Sequence, residues 1–134
     1  MGYPLTILTG ASRGLGLALA EQLLQQGHRL LAISRRAPAL DHPALSAWTL
    51  DLAEPAPVAA RLEAWLRTLD PAEISSATLI NNAGVVAQPA PLADIGAAEL
   101  ANSLRVGLEA PLLLSSAFLR ASAGWAVPRR LLST

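Results

Sequence analysis

Apolar residues along the chain change period repeatedly, from short continuous runs to helical stripes and back. Leu5 to Thr9 is a short, mostly apolar run, and predicts a first strand. From about Gly14 to Gln26 the spacing turns helical, with Leu15, Leu19 and Leu23 marking the expected buried face. Gly27 suits the residue just past that helix. Leu30 to Ile33 predicts a second strand that ends at Ser34-Arg35-Arg36, with a loop over Pro38 to Pro43. Ala47 to Leu50 predicts a third, ending at Asp51. Pro55 or Pro57 suits a helix first turn. Val58, Leu62, Trp65, Leu66 and Leu69 then form one apolar face, with Glu63 and Arg67 paired four residues apart on the other. The helix ends at Asp70-Pro71. Ala77 to Ile80 predicts strand four, running into Asn81-Asn82-Ala83-Gly84, with a loop at Gln88 to Pro91. A short helix near Ala97 to Ala101 is expected to lead into a longer one over Ser103 to Ala121, kinked or broken at Pro111. The last residues, Arg130 to Thr134, read as the start of a fifth strand.

Strands alternating with helices imply an α/β fold, a doubly wound parallel sheet of Rossmann type. Right-handed crossovers and a glycine-rich first turn favour strand order 3-2-1-4-5, incomplete at its C-terminal side. At 134 residues the expectation is a single, incomplete domain spanning 1–134.

Composition sharpens this. The chain is 52% hydrophobic but only 4% aromatic, so its core is aliphatic, as a parallel sheet buried on both faces requires. Formal net charge is zero, with no basic stripe for a nucleic-acid backbone. All ten basic side chains are arginine, and Tyr3 is the one tyrosine. There is no cysteine, which excludes disulfides, thiol catalysis and cysteine-bound metal. The most apolar stretch, Val106 to Leu119, contains Glu109 and is too short to span a membrane. No secretory signal pattern is visible, and the expected location is cytoplasmic.

The chemistry concentrates at the ends of the predicted strands. Thr9-Gly10-Ala11-Ser12-Arg13-Gly14-Leu15-Gly16 follows strand one and opens a helix. In that context Gly10 permits a sharp turn, Gly14 a close backbone approach to phosphate, and Gly16 tight helix-on-strand packing. Ser12 and the helix N-terminus can donate to anionic oxygens. The alternative is a glycine turn without a ligand. A kinase-type phosphate loop is excluded, because it needs a lysine.

Three segments in order, TGASRGLG, Asp51-Leu52 and NNAG at Asn81 to Gly84, resemble the classical short-chain dehydrogenase/reductase family, of whose domain they cover the N-terminal, cofactor-binding half. The resemblance implies that Gly10, Ser12, Arg13, Gly14, Leu15 and Gly16 line the pyrophosphate and adenosine ribose. It implies that Asp51 accepts from the adenine amino group beside Leu52, and that Asn82, Ala83 and Gly84 lie along the ribose. Asn81 is expected to tie strands through its main chain. Asp51 has an alternative as a helix cap. At the end of strand two, a carboxylate would favour NAD; Ser34, Arg35 and Arg36 stand there instead. Their guanidiniums, with Arg13, suit a ribose 2′-phosphate, so NADP is expected over NAD. The alternative is that both arginines are merely solvated.

The resemblance also implies a catalytic tyrosine, a lysine four residues later and a serine after strand five. With no lysine and only Tyr3, the Tyr-x-x-x-Lys pair cannot be formed by these residues, and Ser133 is not taken as the family serine. Gly107 stands where the family usually has a relay asparagine. The expected function is therefore NADP-dependent hydride transfer between nicotinamide and a carbonyl or alcohol substrate in the parent protein, with no catalytic residue assigned here. The alternatives are a non-catalytic NAD(P)-binding module or a truncated fragment needing a complementing segment. No nucleic-acid or membrane partner is expected. Leu112, Leu113, Leu114, Phe118 and Leu119 are expected to lie exposed, and the 103–121 helix is expected to mediate a homo-oligomer.

Overall fold

The computed structural model describes residues 2–84 and 90–134. Five parallel strands, β1 (Tyr3–Thr9), β2 (Arg29–Ser34), β3 (Leu45–Thr49), β4 (Ile74–Asn81) and β5 (Arg129–Ser133), form one sheet in the order β3-β2-β1-β4-β5. The Rossmann-type order read from the sequence is the observed one. The strand bounds differ from the predicted ranges by three residues at most, and β1 ends at Thr9 as expected. Gln88 and Pro89 of the expected loop lie outside the described residues.

The inner strands are covered on both faces, which is why they are mostly apolar. Leu5 and Ile7 of β1 and Leu31 and Ile33 of β2 pack beneath α2 (Pro55–Arg67) and α4 (Ala110–Ala121). Leu8, Leu30 and Ala32 face the other way, toward α1 (Gly14–Gln25). Thr6, also buried, bonds His28 at 2.9 Å.

Three local expectations are corrected. The buried face of α1 is Gly16, Ala20 and Leu24, one position on from the leucine stripe. Small residues let the helix axis approach the sheet, so Leu19 and Leu23 flank the contact while Leu15 is 59% exposed. Next, Pro111 does not break the last helix. Residues of α3 (Ala97–Leu104) run through a π-helical turn, Arg105–Glu109, directly into α4. Proline has no N–H for the Gly107 carbonyl and crowds it; one widened turn, in which the Ala110 N–H donates to the Arg105 carbonyl, accommodates the ring. Finally, Leu114 and Phe118 are not exposed but wholly buried against α2, and Leu113 packs at the edge of that core. The exposed apolar stripe is Leu104, Leu108 and Leu112, with Leu119 further along.

The expected Glu63–Arg67 pair forms at 3.0 Å, and Arg120 of α4 adds a second contact to Glu63 at 2.7 Å. These hydrogen bonds, from Arg120 first and then Arg67, hold the Glu63 carboxyl below its ordinary range.

Candidate functional site: a phosphate cradle at the sheet switch point

The chain winds from β1 outward to β3, then returns to the far side of β1 at β4. A crevice opens at that reversal, outside the carboxyl ends of the strands, which is where doubly wound sheets hold ligands. It is a groove of about 530 Å³.

Its floor is the glycine turn. Gly10 has φ +70° and Gly14 φ +58°, both in the left-handed region that a side chain disfavours. A Cβ on Gly10 would stand 2.9 Å from the Ala83 Cα, so the β1 and β4 ends approach as closely as backbone can. A Cβ on Gly16 would land on the Gly10 carbonyl oxygen. Arg13, extended at φ −158°, precedes α1 and contributes no capping acceptor. The first amides of α1 are therefore left for a ligand or water, at the positive end of the helix dipole.

Thr9 and Asn82 knit the β1 and β4 ends. The Thr9 hydroxyl accepts the N–H groups of Asn82 at 3.0 Å and Ala83 at 2.9 Å. The Asn82 amide donates to the Gly10 carbonyl at 3.2 Å, and its oxygen accepts from the Thr134 hydroxyl at 2.7 Å. Asn81 ends β4; its main-chain carbonyl accepts the Thr134 N–H at 3.2 Å, joining β4 to β5. Its buried side-chain oxygen has no hydrogen-bond partner among the described residues.

Ser34 closes β2 and is buried, with its hydroxyl donating to the Arg36 carbonyl at 2.6 Å. Arg35 and Arg36 are exposed. Among the described residues, neither of these nor Arg13 forms an ion pair; the two that form join Glu63 to Arg67 and Arg120. Asp51 accepts the Ala53 N–H at 2.9 Å, closing a turn. It is not the helix cap, because α2 begins only at Pro55 with Glu54 at the cap position. Asp51 thus keeps one carboxylate oxygen for another partner. Among the described residues it is the one acidic side chain lining the groove.

All fourteen residues expected at a cofactor site line this groove: Gly10, Ser12, Arg13, Gly14, Leu15, Gly16, Ser34, Arg35, Arg36, Asp51, Leu52, Asn82, Ala83 and Gly84. Leu50, Asn102 and Val106 line it too, without having been singled out. Asn102 and Val106 stand four apart, hence on one helix face, and that spacing was the available signal. Gly107 instead faces open space.

The donor set suits a dinucleotide. Uncapped amides and a backbone without Cβ suit phosphate, guanidiniums unpaired among the described residues suit an anion, and a free carboxylate oxygen of Asp51 suits a hydrogen-bond donor. The fold and groove together define a nucleotide-binding protein of the doubly wound α/β class. The short chain dehydrogenase family model matches residues 5–126, and the chain belongs to that family of oxidoreductases, which use NAD(P). It is 36% identical over 121 residues to a benzil reductase ((S)-benzoin forming) of Bacillus subtilis, covering 90% of this chain and 50% of that protein. The chain thus spans half the length of that curated relative. A short-chain dehydrogenase/reductase structure from Burkholderia vietnamiensis superposes with a TM-score of 0.86 at 39% identity, over 97% of this chain and 64% of the other. A short chain dehydrogenase from Leptospira borgpetersenii, solved with bound NAD+, shares the fold at 22% identity, with a TM-score of 0.76 over 98% of this chain and 51% of that one.

Proposed function

We infer that this chain is the NADP-binding portion of a carbonyl reductase or alcohol dehydrogenase, folded as one dinucleotide-binding domain. The observation that carries the reading is the groove itself, with an uncapped α1 N-terminus and three guanidiniums free of carboxylate partners among the described residues. Gly10, Ser12, Arg13, Gly14, Leu15 and Gly16 would hold the pyrophosphate and adenosine ribose. Asp51 and Leu52 would hold the adenine, and Asn82, Ala83 and Gly84 the ribose edge. Ser34, Arg35 and Arg36 would surround a ribose 2′-phosphate, where charge-assisted bonds are strong and an NAD ribose offers no anion.

When bound, the cofactor supplies a hydride at nicotinamide C4 for a carbonyl carbon. The accompanying proton needs a positioned donor. Tyr3 is remote from the groove, at the start of β1 beside Arg29 at 3.2 Å, and the sequence has no lysine. Binding without turnover is therefore the expected behaviour of these 134 residues, and the parent activity depends on residues beyond them. The similarity to a benzil reductase makes an aromatic 1,2-diketone the first substrate to offer the parent protein.

Titration with NADPH and NADH, followed by the fluorescence of Trp48, Trp65 and Trp125, tests the reading. Trp48 lies on β3 just before the groove residues Leu50 to Leu52, so its emission should respond. Saturable binding with NADPH the tighter ligand, and no oxidation of NADPH by benzil, is the expected result. Equal or absent binding of both nucleotides would refute the cofactor assignment. A non-catalytic nucleotide-binding module is the second reading; Gly107 favours it, since no side chain there can hold a relay water. The same groove serves both. No described helix is long and apolar enough to cross a membrane, and a cytoplasmic location is part of this proposal.

A further inference from the structure

Thr134 directly follows β5 and is not among the described residues that line the groove. Its N–H is held by the Asn81 carbonyl at 3.2 Å, which sets its hydroxyl beside the Asn82 side chain. That hydroxyl donates to Asn82 Oδ1 at 2.7 Å, and Asn82 Nδ2 donates to the Gly10 carbonyl at 3.2 Å. A three-residue chain of hydrogen bonds thus runs from the end of β5, across the end of β4, to the glycine turn after β1. The Gly10 oxygen can only accept, so the amide nitrogen must face it and the Thr134 hydroxyl must be the donor to Oδ1.

The consequence falls on the turn. Gly10 has φ +70° and no side chain, so little in its own geometry holds the peptide that joins it to Ala11. Its N–H is tied to the Ile33 carbonyl at 3.0 Å, which leaves the carbonyl side to be fixed. A peptide is planar, so whatever fixes the Gly10 carbonyl also fixes the direction of the Ala11 N–H and the start of the turn. The Asn82 backbone is anchored by Thr9, but the last torsion of an asparagine side chain is broad. The bond from Thr134, on the opposite atom of the amide, removes that freedom. We propose that Thr134 is a positioning residue for the glycine turn, holding the Gly10 carbonyl through Asn82 without touching the ligand. This rests on the dinucleotide reading of the groove and is independent of the preference for NADP.

The test uses the full 134-residue chain, titrated with NADPH and NADH and followed without ligand by NMR. Thr134→Val keeps the side chain's shape and removes its hydroxyl. It should weaken both nucleotides alike, about fivefold, the effect of one lost hydrogen bond. In the unliganded chain it should also shift the signals of the Ala11 N–H and of the Asn82 side-chain amide. Thr134→Ser, which keeps the hydroxyl, should restore both signals and both affinities. In an Asn82→Ala background, Thr134→Val should add nothing, because its effect passes through that amide. Unchanged affinities in Thr134→Val overturn this proposal alone. So does weakened binding with an unshifted Ala11 signal, or an undiminished loss in the Asn82→Ala background. A wild-type chain that binds neither nucleotide overturns the cofactor reading and this proposal with it.

Discussion

At the scale of single residues, the groove depends on atoms that are missing. Gly16 has no Cβ because the Gly10 carbonyl occupies that place, and the Asn82 amide bonds the same carbonyl. Gly16→Ala should destabilise the chain by about 2–4 kcal/mol, an overpacking with no flexible neighbour to yield. Urea denaturation should show the fall, and fluorescence titration should show NADPH binding weakened with it. Arg35 acts through charge rather than shape. Arg35→Asp should repel a 2′-phosphate and offer an acceptor to a ribose hydroxyl, shifting preference from NADPH toward NADH. An unaltered ratio of the two dissociation constants would contradict its assignment. TGASRGLG, NNAG and Asp51-Leu52 were legible as groove residues because a tight turn, a close backbone approach or a strand-end acceptor requires a particular residue type. Asn102 and Val106 were not, since an asparagine and a valine on a helix carry no such requirement until the helix is placed over the groove.

At the scale of elements, α2 and α4 are joined by burial and by one acidic residue. Leu62 and Leu66 of α2 meet Leu114 and Phe118 of α4 in the core, while Glu63 bridges Arg67 and Arg120 at the rim. The Glu63 carboxyl titrates below its unfolded value, so the folded state favours its ionised form. Its contribution is present above the ordinary carboxylate range and disappears as pH falls through the lowered folded value. Glu63→Gln should therefore lower the melting temperature slightly at pH 7. The gap to wild type should close in acid, and should shrink in high salt because the bridge is surface-exposed. A gap that persists at low pH would place the effect in packing instead. His28 moves in the same sense by a different cause: partial burial lowers its pKa, so its protonation opposes folding as pH falls from neutrality. The i,i+4 Glu63–Arg67 pair was readable from spacing. Arg120 was not, because it lies 57 residues away and only the packing of α4 on α2 brings it near. The π turn was likewise hidden: Pro111 announces a disturbed helix, but whether it breaks or widens depends on what the helix packs against.

At the scale of the whole molecule, burial is uneven. The α2/α4 face is closed, whereas β5 is exposed along its length, with Leu131 at 42% and Leu132 at 49% on opposite faces of the strand. Leu104, Leu108 and Leu112 form a separate stripe, flanked by Arg105 and Glu109. Contiguous exposed leucines favour self-association, and we propose that this helix, within the 103–121 segment, mediates a homo-oligomer. Sedimentation should find the wild-type chain associated, and Leu108→Glu should shift it toward monomer without altering NADPH affinity. A wild-type chain that sediments as a sharply melting monomer would remove the proposal.

The order of strands, the parallel sheet and all the groove residues except Leu50, Asn102 and Val106 were legible in the sequence alone. Apolar periodicity, glycine spacing and strand-end chemistry are local properties, and right-handed crossovers leave few ways to assemble them. Tertiary structure decided what depends on the distance between segments. It chose which face of α1 is buried, by how closely Gly16 and Ala20 can meet the sheet, and it put Leu114 and Phe118 in the core and Leu108 outside it. It also joined the Ser34 hydroxyl to the Arg36 carbonyl and Thr134 to Asn82. Those contacts need atoms placed to within a hydrogen bond's length, and only the packed chain sets such distances.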